Sequence, residues 1–305
     1  MLSTWELILQ QTVNGLISGS FYALVALGYS MVYGIIKLLN FAHGDIYMTG
    51  AFVCLAVFGA ICGTLGGWMG LAVAILVAMI IAAALGWVVQ RAAYRPLLGA
   101  PRLSLLITAI GVSLVIYNAV MLITKSRPQF FESGLDATAG ISLGNVKIAY
   151  LKLVLLAIAA VAMVALTLFV NRTRMGRAMR AISMDQDTCR LMGVNVNQII
   201  GMTFMIGSAL AAVAGGMACV QYSTVVYSMG YLVGIKAFTA AVLGGIGSIP
   251  GAMLGGLLLG LLEAYGTQVP FIGSQWKDVF AFGLLILILV VRPNGLLGKT
   301  QVERM

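Results

Sequence analysis

The chain has 305 residues, of which 61% are hydrophobic and 9% are charged, and its mean hydropathy is +1.03. Soluble domains carry roughly 25% charged residues, so this composition excludes a soluble enzyme and predicts an integral membrane protein. The net charge of +9 lies in short loops between apolar segments, which indicates membrane orientation rather than nucleic-acid binding. We therefore expect a single transmembrane domain over residues 1–305, with the lipid bilayer and no nucleic acid among its partners.

Eight apolar stretches follow one another along the chain, and a helix needs about 20 apolar residues to cross a bilayer. Backbone polar groups in lipid must be satisfied internally, and no stretch alternates as a barrel strand does, so helices are expected. The predicted fold is an all-α polytopic membrane helical bundle with about eight or nine transmembrane segments. Seven stretches fit one span each, at about 10–36, 38–62, 68–90, 103–124, 150–170, 198–222 and 274–292.

The eighth stretch, 234–267, is too long for one span and contains several glycines. Three arginines in loop 91–102 and five in loop 171–197 predict that these loops and the C-terminal tail face the cytoplasm. Counting spans from these loops places the N-terminus outside and makes stretch 234–267 begin and end on the outer side. It should therefore contain two helical pieces joined by a break near residues 244–251.

The predicted break has the sequence GGIGSIPG, and glycine and proline interrupt helices. Non-helical backbone at membrane depth is tolerated only against protein or beside a water-filled cavity, so the break is a candidate for a translocation path. The alternative for the later glycines is helix packing, because Gly251 with Gly255, and Gly256 with Gly260, have the GxxxG spacing. The path candidates in the break are Gly244, Gly245, Gly247, Ser248 and Pro250.

Four further polar residues interrupt apolar sequence and are also candidates for the path. Asn40, His43 and Asp45 lie near the start of the second span, and Glu263 follows a long apolar run. Ionisable groups inside a membrane are costly and usually functional. The structural alternatives are an interfacial turn in which Asn40 caps the helix, and an outer-interface position for Glu263. Lys236 lies at a predicted span end and is expected to extend to the headgroups.

Residues 171–197 form a predicted cytoplasmic loop that contains a short amphipathic helix. Three arginines recur every three residues in it, between apolar residues at helical spacing. A helix lying on anionic headgroups explains this pattern, and so does a docking surface for a cytoplasmic partner, which needs apolar anchors. The candidate docking residues are Arg174, Met175, Gly176, Arg177, Ala178, Arg180 and Gly193.

Catalytic, metal-binding and nucleotide-binding patterns are missing from the sequence. Residues 295–300 end like a phosphate loop, but Pro293 occupies the position of the first glycine in the Walker pattern. With His43 as its single histidine, the sequence offers few groups for a hydrolytic mechanism. Too few possible ligands lie near His43 in the sequence to form a metal site. We therefore expect this chain to be no enzyme and to bind no cofactor or metal.

Four stretches of the sequence resemble the permease subunits of ABC importers for branched-chain amino acids, the LivH type. They are 22–52, which contains NFAHGD, 173–195, 236–257, which contains GGIGSIPGA, and 276–298. The resemblance covers nearly the whole chain and keeps the order of the stretches. It is less specific for the substrate, because related permeases for urea or short amides look alike.

The resemblance implies a subunit that forms the path of an ATP-driven importer by alternating access in the bacterial inner (cytoplasmic) membrane. It implies a second related permease subunit, two cytoplasmic ABC ATPase subunits that bind the ATP, and a periplasmic protein that delivers leucine, isoleucine or valine. Segment 174–193 would be the ATPase-coupling helix. The alternatives are a urea or short-amide permease of the same class and an ion-driven secondary transporter, for which the chain offers few relay groups.

Overall fold

The computed structural model describes residues 4–97, 99–132, 139–143, 146–268, 276–292 and 294–298, so Pro293 and the residues after 298 lie outside it. The described part is almost entirely helical. A π-helical turn, Gln90–Tyr94, and a 3-10 turn, Arg95–Leu97, extend α3. The helices are α1 (Thr4–Ile36), α2 (His43–Leu65), α3 (Gly67–Val89), α4 (Arg102–Ile123), α5 (Tyr150–Arg172), α6 (Arg174–Met184), α7 (Gln186–Leu191), α8 (Val196–Tyr222), α9 (Met229–Gly244), α10 (Ile249–Gly266) and α11 (Lys277–Val291).

Seven of these helices are long and apolar enough to cross a membrane, namely α1, α2, α3, α4, α5, α8 and α10. Helices α9 and α11 have 16 and 15 residues, which at 1.5 Å per residue span roughly 24 and 22 Å. Seven long and two shorter helices agree with the expected eight or nine segments. The prediction of an all-α polytopic bundle is confirmed.

Four short strands lie between the helices: β1 (Gln129–Phe130), β2 (Gly140–Leu143), β3 (Val146–Ala149) and β4 (Thr224–Val225). The pairs β1 with β4 and β2 with β3 are antiparallel. In the first pair Gln129 lies opposite Val225 and Phe130 opposite Thr224, so the α4–α5 connection meets the α8–α9 connection. These two connections therefore share one end of the bundle, as the predicted topology requires.

The opposite end of the bundle brings together the connections that carry most of the arginines. The Gln186 side-chain amide, at the start of α7, donates to the Ile35 carbonyl at the end of α1, with a distance of 2.8 Å. The Tyr94 hydroxyl, in the extension of α3, donates to Asn40 at 3.0 Å. Following the positive-inside rule, we call this end the inner end and the opposite end the outer end.

Helices α1 and α8 form the centre of the bundle, and α4 lies at its periphery. The most apolar windows of α1 and α8 are 89% and 78% buried, whereas that of α4 is 6% buried. All three windows are apolar, so lipid or another membrane subunit must cover α4. The core therefore depends on contacts that α1 and α8 make with their neighbours.

Small residues allow α10 to pack closely on α1. Gly256 lies against the backbone of Ala23, and Gly260 against the backbone of Gly19. Helices in lipid gain little from hydrophobic burial against one another, so close backbone approach supplies much of their association. Gly255 faces α9 in the same way. These contacts confirm the packing interpretation of the GxxxG spacings.

The predicted break within stretch 234–267 is present. Helix α9 ends at Gly244 and α10 begins at Ile249, and the Ser248 hydroxyl accepts the Gly251 N–H at 3.2 Å as the cap of α10. Pro250 sits in the first turn of α10, where a missing N–H costs no hydrogen bond. Gly244 and Gly251 are in contact, so α9 and α10 form an antiparallel hairpin.

The turn of this hairpin lies at the inner end of the bundle. Gly247 and Ile249 share a small cleft with Gly34 and Ile35 at the end of α1 and with residues of α6. The break is therefore beside the predicted docking helix rather than halfway across the membrane.

Candidate functional site

Helix α2 begins inside the bundle rather than at its inner surface. The imidazole ring of its first residue, His43, lies against Gly28 of α1. Helix α1 continues from Gly28 for about two more turns, roughly 12 Å, to Ile36. The NFAHGD segment therefore turns back into the bundle and starts α2 at membrane depth.

Asn40 ties this returning segment to α3. Its side-chain oxygen accepts the Tyr94 hydroxyl at 3.0 Å, and its backbone carbonyl accepts the His43 N–H at 3.1 Å. The residue that precedes α2 is Ala42, which makes no side-chain cap hydrogen bond. The interpretation of Asn40 as a side-chain cap at an interface is therefore wrong, because its side-chain oxygen accepts the Tyr94 hydroxyl and the residue is buried.

His43 is buried between α1 and α8. Its ring makes an edge contact with Tyr29, with centroids 4.9 Å apart, and it hydrogen-bonds to the backbone of Val25. The ring fits because Gly28 and Gly207 have no Cβ at the point where the two helices meet it. The side chain thus fills a packing position, and it does not line the cavity that adjoins α2.

Asp45 lines a cavity of about 570 Å³ between α2, α4 and α9. Pockets of roughly 300–1,000 Å³ with apolar walls and few polar groups are typical small-molecule sites. Besides tyrosines, the polar side chains in the wall are those of Asp45, Ser113 and Ser228. The aromatic residues of the wall are Tyr29, Phe41, Tyr117, Tyr231 and Phe238.

The Asp45 side chain is held in place and has no cation partner within the described ranges. The residue is 4% exposed, and the Ser113 hydroxyl donates to its Oδ2 atom at 2.5 Å. The ion pairs of the described residues involve other carboxylates. A carboxylate at membrane depth without a counter-ion is costly, so Asp45 stays a candidate for a functional role.

Glu263 belongs to a separate buried cluster. The Lys236 ammonium lies 2.8 Å from Glu263 Oε1 and 2.6 Å from Asp278 Oδ1, and the Tyr22 hydroxyl donates to Glu263 Oε2 at 2.8 Å. We call these four residues the ion cluster, and they join α1, α9, α10 and α11. The expectation that Lys236 extends to the headgroups is wrong, because two acids hold its ammonium inside the bundle.

No residue of the break lines the cavity, and Gly244 and Gly245 contact the C-terminal segment. The N–H groups of Leu296 and Leu297 donate to the carbonyls of Leu243 and Gly244 at 2.9 and 3.0 Å. Gly245 has a φ of 103°, and the backbone of residue 298 lies where its Cβ would be. Of the nine predicted path residues, all of which are described, Asp45 is the one that lines the cavity.

Helix α6 confirms the predicted short amphipathic helix. The Thr173 hydroxyl accepts the Gly176 N–H at 3.0 Å and caps the helix, as threonine commonly does at this position. Arg174 and Arg177 are exposed on the opposite side from the bundle. The buried face consists of Gly176, Met179 and Ile182.

Several predicted docking residues also make contacts within the chain. Arg180 donates to the Val170 carbonyl at 2.5 Å and to Asn171 Oδ1 at 3.1 Å, so it satisfies the end of α5. Gly176 lies directly against Val170, and Gly193 turns the chain after α7 with a φ of 80°. The side chains of Met175 and Ala178 are partly buried against the core.

Sequence reasoning missed three exposed apolar residues in the same segment. Met184, Leu191 and Met192 are 90%, 88% and 80% exposed. Between them, Asp185 accepts N–H groups of Asp187 and Thr188 and caps α7. Hydrogen bonds from Thr188 lower the pKa of the Asp185 carboxyl. These residues could have been identified from the sequence, because exposed apolar residues in an arginine-rich loop indicate a surface that a partner covers.

A bundle with seven helices long and apolar enough to cross a membrane defines a polytopic membrane protein. The family model described as branched-chain amino acid transport system, permease component, matches residues 11–289, and the chain belongs to this family. The chain is 48% identical to the high-affinity branched-chain amino acid transport system permease protein BraD of Pseudomonas aeruginosa, over 97% of each chain. It is 44% identical to the corresponding LivH protein of Escherichia coli, again over 97% of each chain. The resemblance seen in the sequence is confirmed.

Proposed function

We propose that the chain is the transmembrane permease subunit of an ATP-driven ABC importer for leucine, isoleucine and valine in the bacterial inner membrane. The family match over residues 11–289 carries this proposal. The cavity beside Asp45 supports it, because its mostly apolar wall suits an aliphatic side chain and its few polar groups suit the charged end of an amino acid. The chain supplies a path by alternating access and no chemical reaction.

Two cytoplasmic ATPase subunits would bind and hydrolyse the ATP and dock on α6 and α7. Arg174 and Arg177 offer charge there, and Met184, Leu191 and Met192 offer the apolar anchors that a partner groove needs. The remaining predicted partners follow from the same proposal. They are a second related permease subunit, packed against exposed apolar helices such as α4, and a periplasmic binding protein at the outer end.

A short series of contacts connects this docking surface to the cavity. Gln186, at the start of α7, donates a hydrogen bond to the Ile35 carbonyl at the end of α1. Arg180 donates one to the Val170 carbonyl near the end of α5. Helix α1 also carries Tyr29, which lines the cavity. A displacement of α6 and α7 by the ATPases would therefore move the helix that forms one wall of the cavity.

Reversing the charge of Arg177 is expected to lower leucine uptake roughly tenfold or more, because like charges placed opposite each other at an interface cost several kcal/mol and about 1.4 kcal/mol is a factor of ten. The measurement is uptake of labelled leucine by cells that carry wild-type chain, Arg177→Glu or Arg177→Lys, with membrane levels matched by blotting. Arg177→Lys keeps the charge and should retain most of the uptake.

The same assay in cells without the chain tests the proposed substrate. Loss of leucine uptake on deletion supports an importer subunit for branched-chain amino acids. Unchanged leucine uptake would contradict it, and urea and short amides would then be tested. Full activity of Arg177→Glu would show that α6 does not transmit an ATPase signal through this arginine.

A further inference from the structure

Glu263 and Asp45 are both buried acids, but among the described residues Glu263 has a cation partner and Asp45 has none. Glu263 and Asp278 share the ammonium of Lys236 within the ion cluster. Asp45 is buried as deeply as Glu263, at 4% against 7% exposed, yet no cation of the described residues lies within ion-pair distance of it. A buried carboxylate without a counter-ion is costly, so a ligand in the cavity that carries a positive charge would stabilise the charged form of Asp45.

The surroundings of Asp45 suit an organic ammonium better than a metal ion. Metal cations such as Ca²⁺ and Mg²⁺ require six or more oxygen ligands in general, and the cavity offers Asp45 and a few hydroxyl groups. Its aromatic wall, which includes Tyr29 and Tyr117, suits an alkylammonium, since the faces of aromatic rings attract organic cations. Its volume of about 570 Å³ leaves room for an aliphatic side chain.

Helix α2 packs closely against α9 at Gly44, the residue before Asp45. Gly44 lies against the backbone of Gly230 and Gly234, so that α2 and α9 approach each other without side chains between them. Helix α9 begins at Met229 with no side-chain cap, and Ser228 and Gly230 line the cavity.

We propose that Asp45 binds the α-ammonium group of the transported amino acid, and that Ser113 positions the Asp45 carboxylate for this contact. The cavity is thereby selective for primary ammonium compounds that carry a small aliphatic group. The identity of the transported amino acid rests on the proposed function, whereas the preference for ammonium compounds rests on the cavity alone.

The test uses the full chain purified in detergent and measures its unfolding temperature with three ligands at millimolar concentration. Leucine and isopentylamine both carry an ammonium group and are expected to raise the unfolding temperature. Isopentanol has the same carbon skeleton as isopentylamine without the charge and is expected to leave the unfolding temperature unchanged. Equal stabilisation by isopentanol and isopentylamine would overturn the proposal, and this comparison needs no variant.

The variant Asp45→Asn keeps the shape of the side chain and removes its charge. It should abolish the rise in unfolding temperature given by isopentylamine, whereas Glu132→Gln, which neutralises an exposed acid in the α4–α5 connection, should retain it. In cells, Asp45→Asn should lower leucine uptake by roughly 10- to 100-fold, the factor that a hydrogen bond between charged groups contributes. An undiminished rise with Asp45→Asn would overturn the proposal.

The outcomes separate this proposal from the proposed function. Leucine uptake that depends on the chain but is unchanged in Asp45→Asn would refute the ammonium site and leave the importer intact. Stabilisation by isopentylamine that depends on Asp45, in a chain whose deletion leaves leucine uptake unchanged, would support the ammonium site and refute the assigned substrate.

Discussion

Replacing Lys236 with methionine is expected to destabilise the folded bundle by about 3–5 kcal/mol, the cost of removing one partner of a buried ion pair. Lys236 is 6% exposed, and its ammonium lies within 2.8 Å of carboxylate oxygens of both Glu263 and Asp278. Methionine has a similar length but leaves both acids without a cation. The measurement is an unfolding titration of the purified chain in mixed micelles.

A neutral version of the ion cluster provides the control for this prediction. The triple variant Lys236→Met, Glu263→Gln, Asp278→Asn removes all three charges together, so no unpaired charge remains buried. We expect it to recover most of the lost stability, since neutral groups in place of a buried ion pair are often tolerated. Wild-type stability of Lys236→Met alone would contradict the assignment of a buried ion cluster.

Replacing Gly245 with valine is expected to release the C-terminal segment from the α9–α10 turn. The φ of 103° at Gly245 is strained for any residue with a Cβ, at a cost of about 1–3 kcal/mol. The added side chain would also collide with the backbone of Gly298. Hydrogen exchange at the Leu296 and Leu297 amides should accelerate, because their bonds to the turn would be lost.

Gly111 of α4 offers a matched control, because apart from its chain neighbours and the backbone of its own helix no atom lies within 4 Å of the position of its Cβ. Gly111→Val should leave the exchange of the Leu296 and Leu297 amides unchanged. Slow exchange in Gly245→Val would show that the turn accommodates a side chain. The turn lies next to α6, so we also expect Gly245→Val to reduce uptake while the chain stays in the membrane.

The helices and their directions could be predicted because a bilayer imposes simple rules. Each apolar run must form a helix to satisfy its backbone, and arginine placement fixes which ends lie together. Counting spans from the arginine-rich loops required two helical pieces in stretch 234–267. In the structure the first piece ends at Gly244 and the second begins at Ile249. The amphipathic helix α6 could also be predicted from the sequence, since its arginines and apolar residues repeat at helical spacing.

The partners of the polar residues could not be predicted, because they come from different helices. Lys236 meets Glu263 and Asp278 through three different helices, and Asp45 meets Ser113 through two. Spacing along one chain gives no information about such contacts, so Lys236 was assigned to the headgroups. The tight turn at Gly245 was likewise identified as a break, while its contact with the C-terminal segment depends on tertiary packing.

Reconstituted transport tests the proposed function most directly. The chain would be placed in proteoliposomes with its second permease subunit and both ATPases, with the binding protein and labelled leucine supplied on the opposite side from the ATP. We expect leucine to accumulate only when ATP and the binding protein are both present. Accumulation driven by an ion gradient in the absence of ATP would contradict an ABC importer and identify an ion-driven transporter.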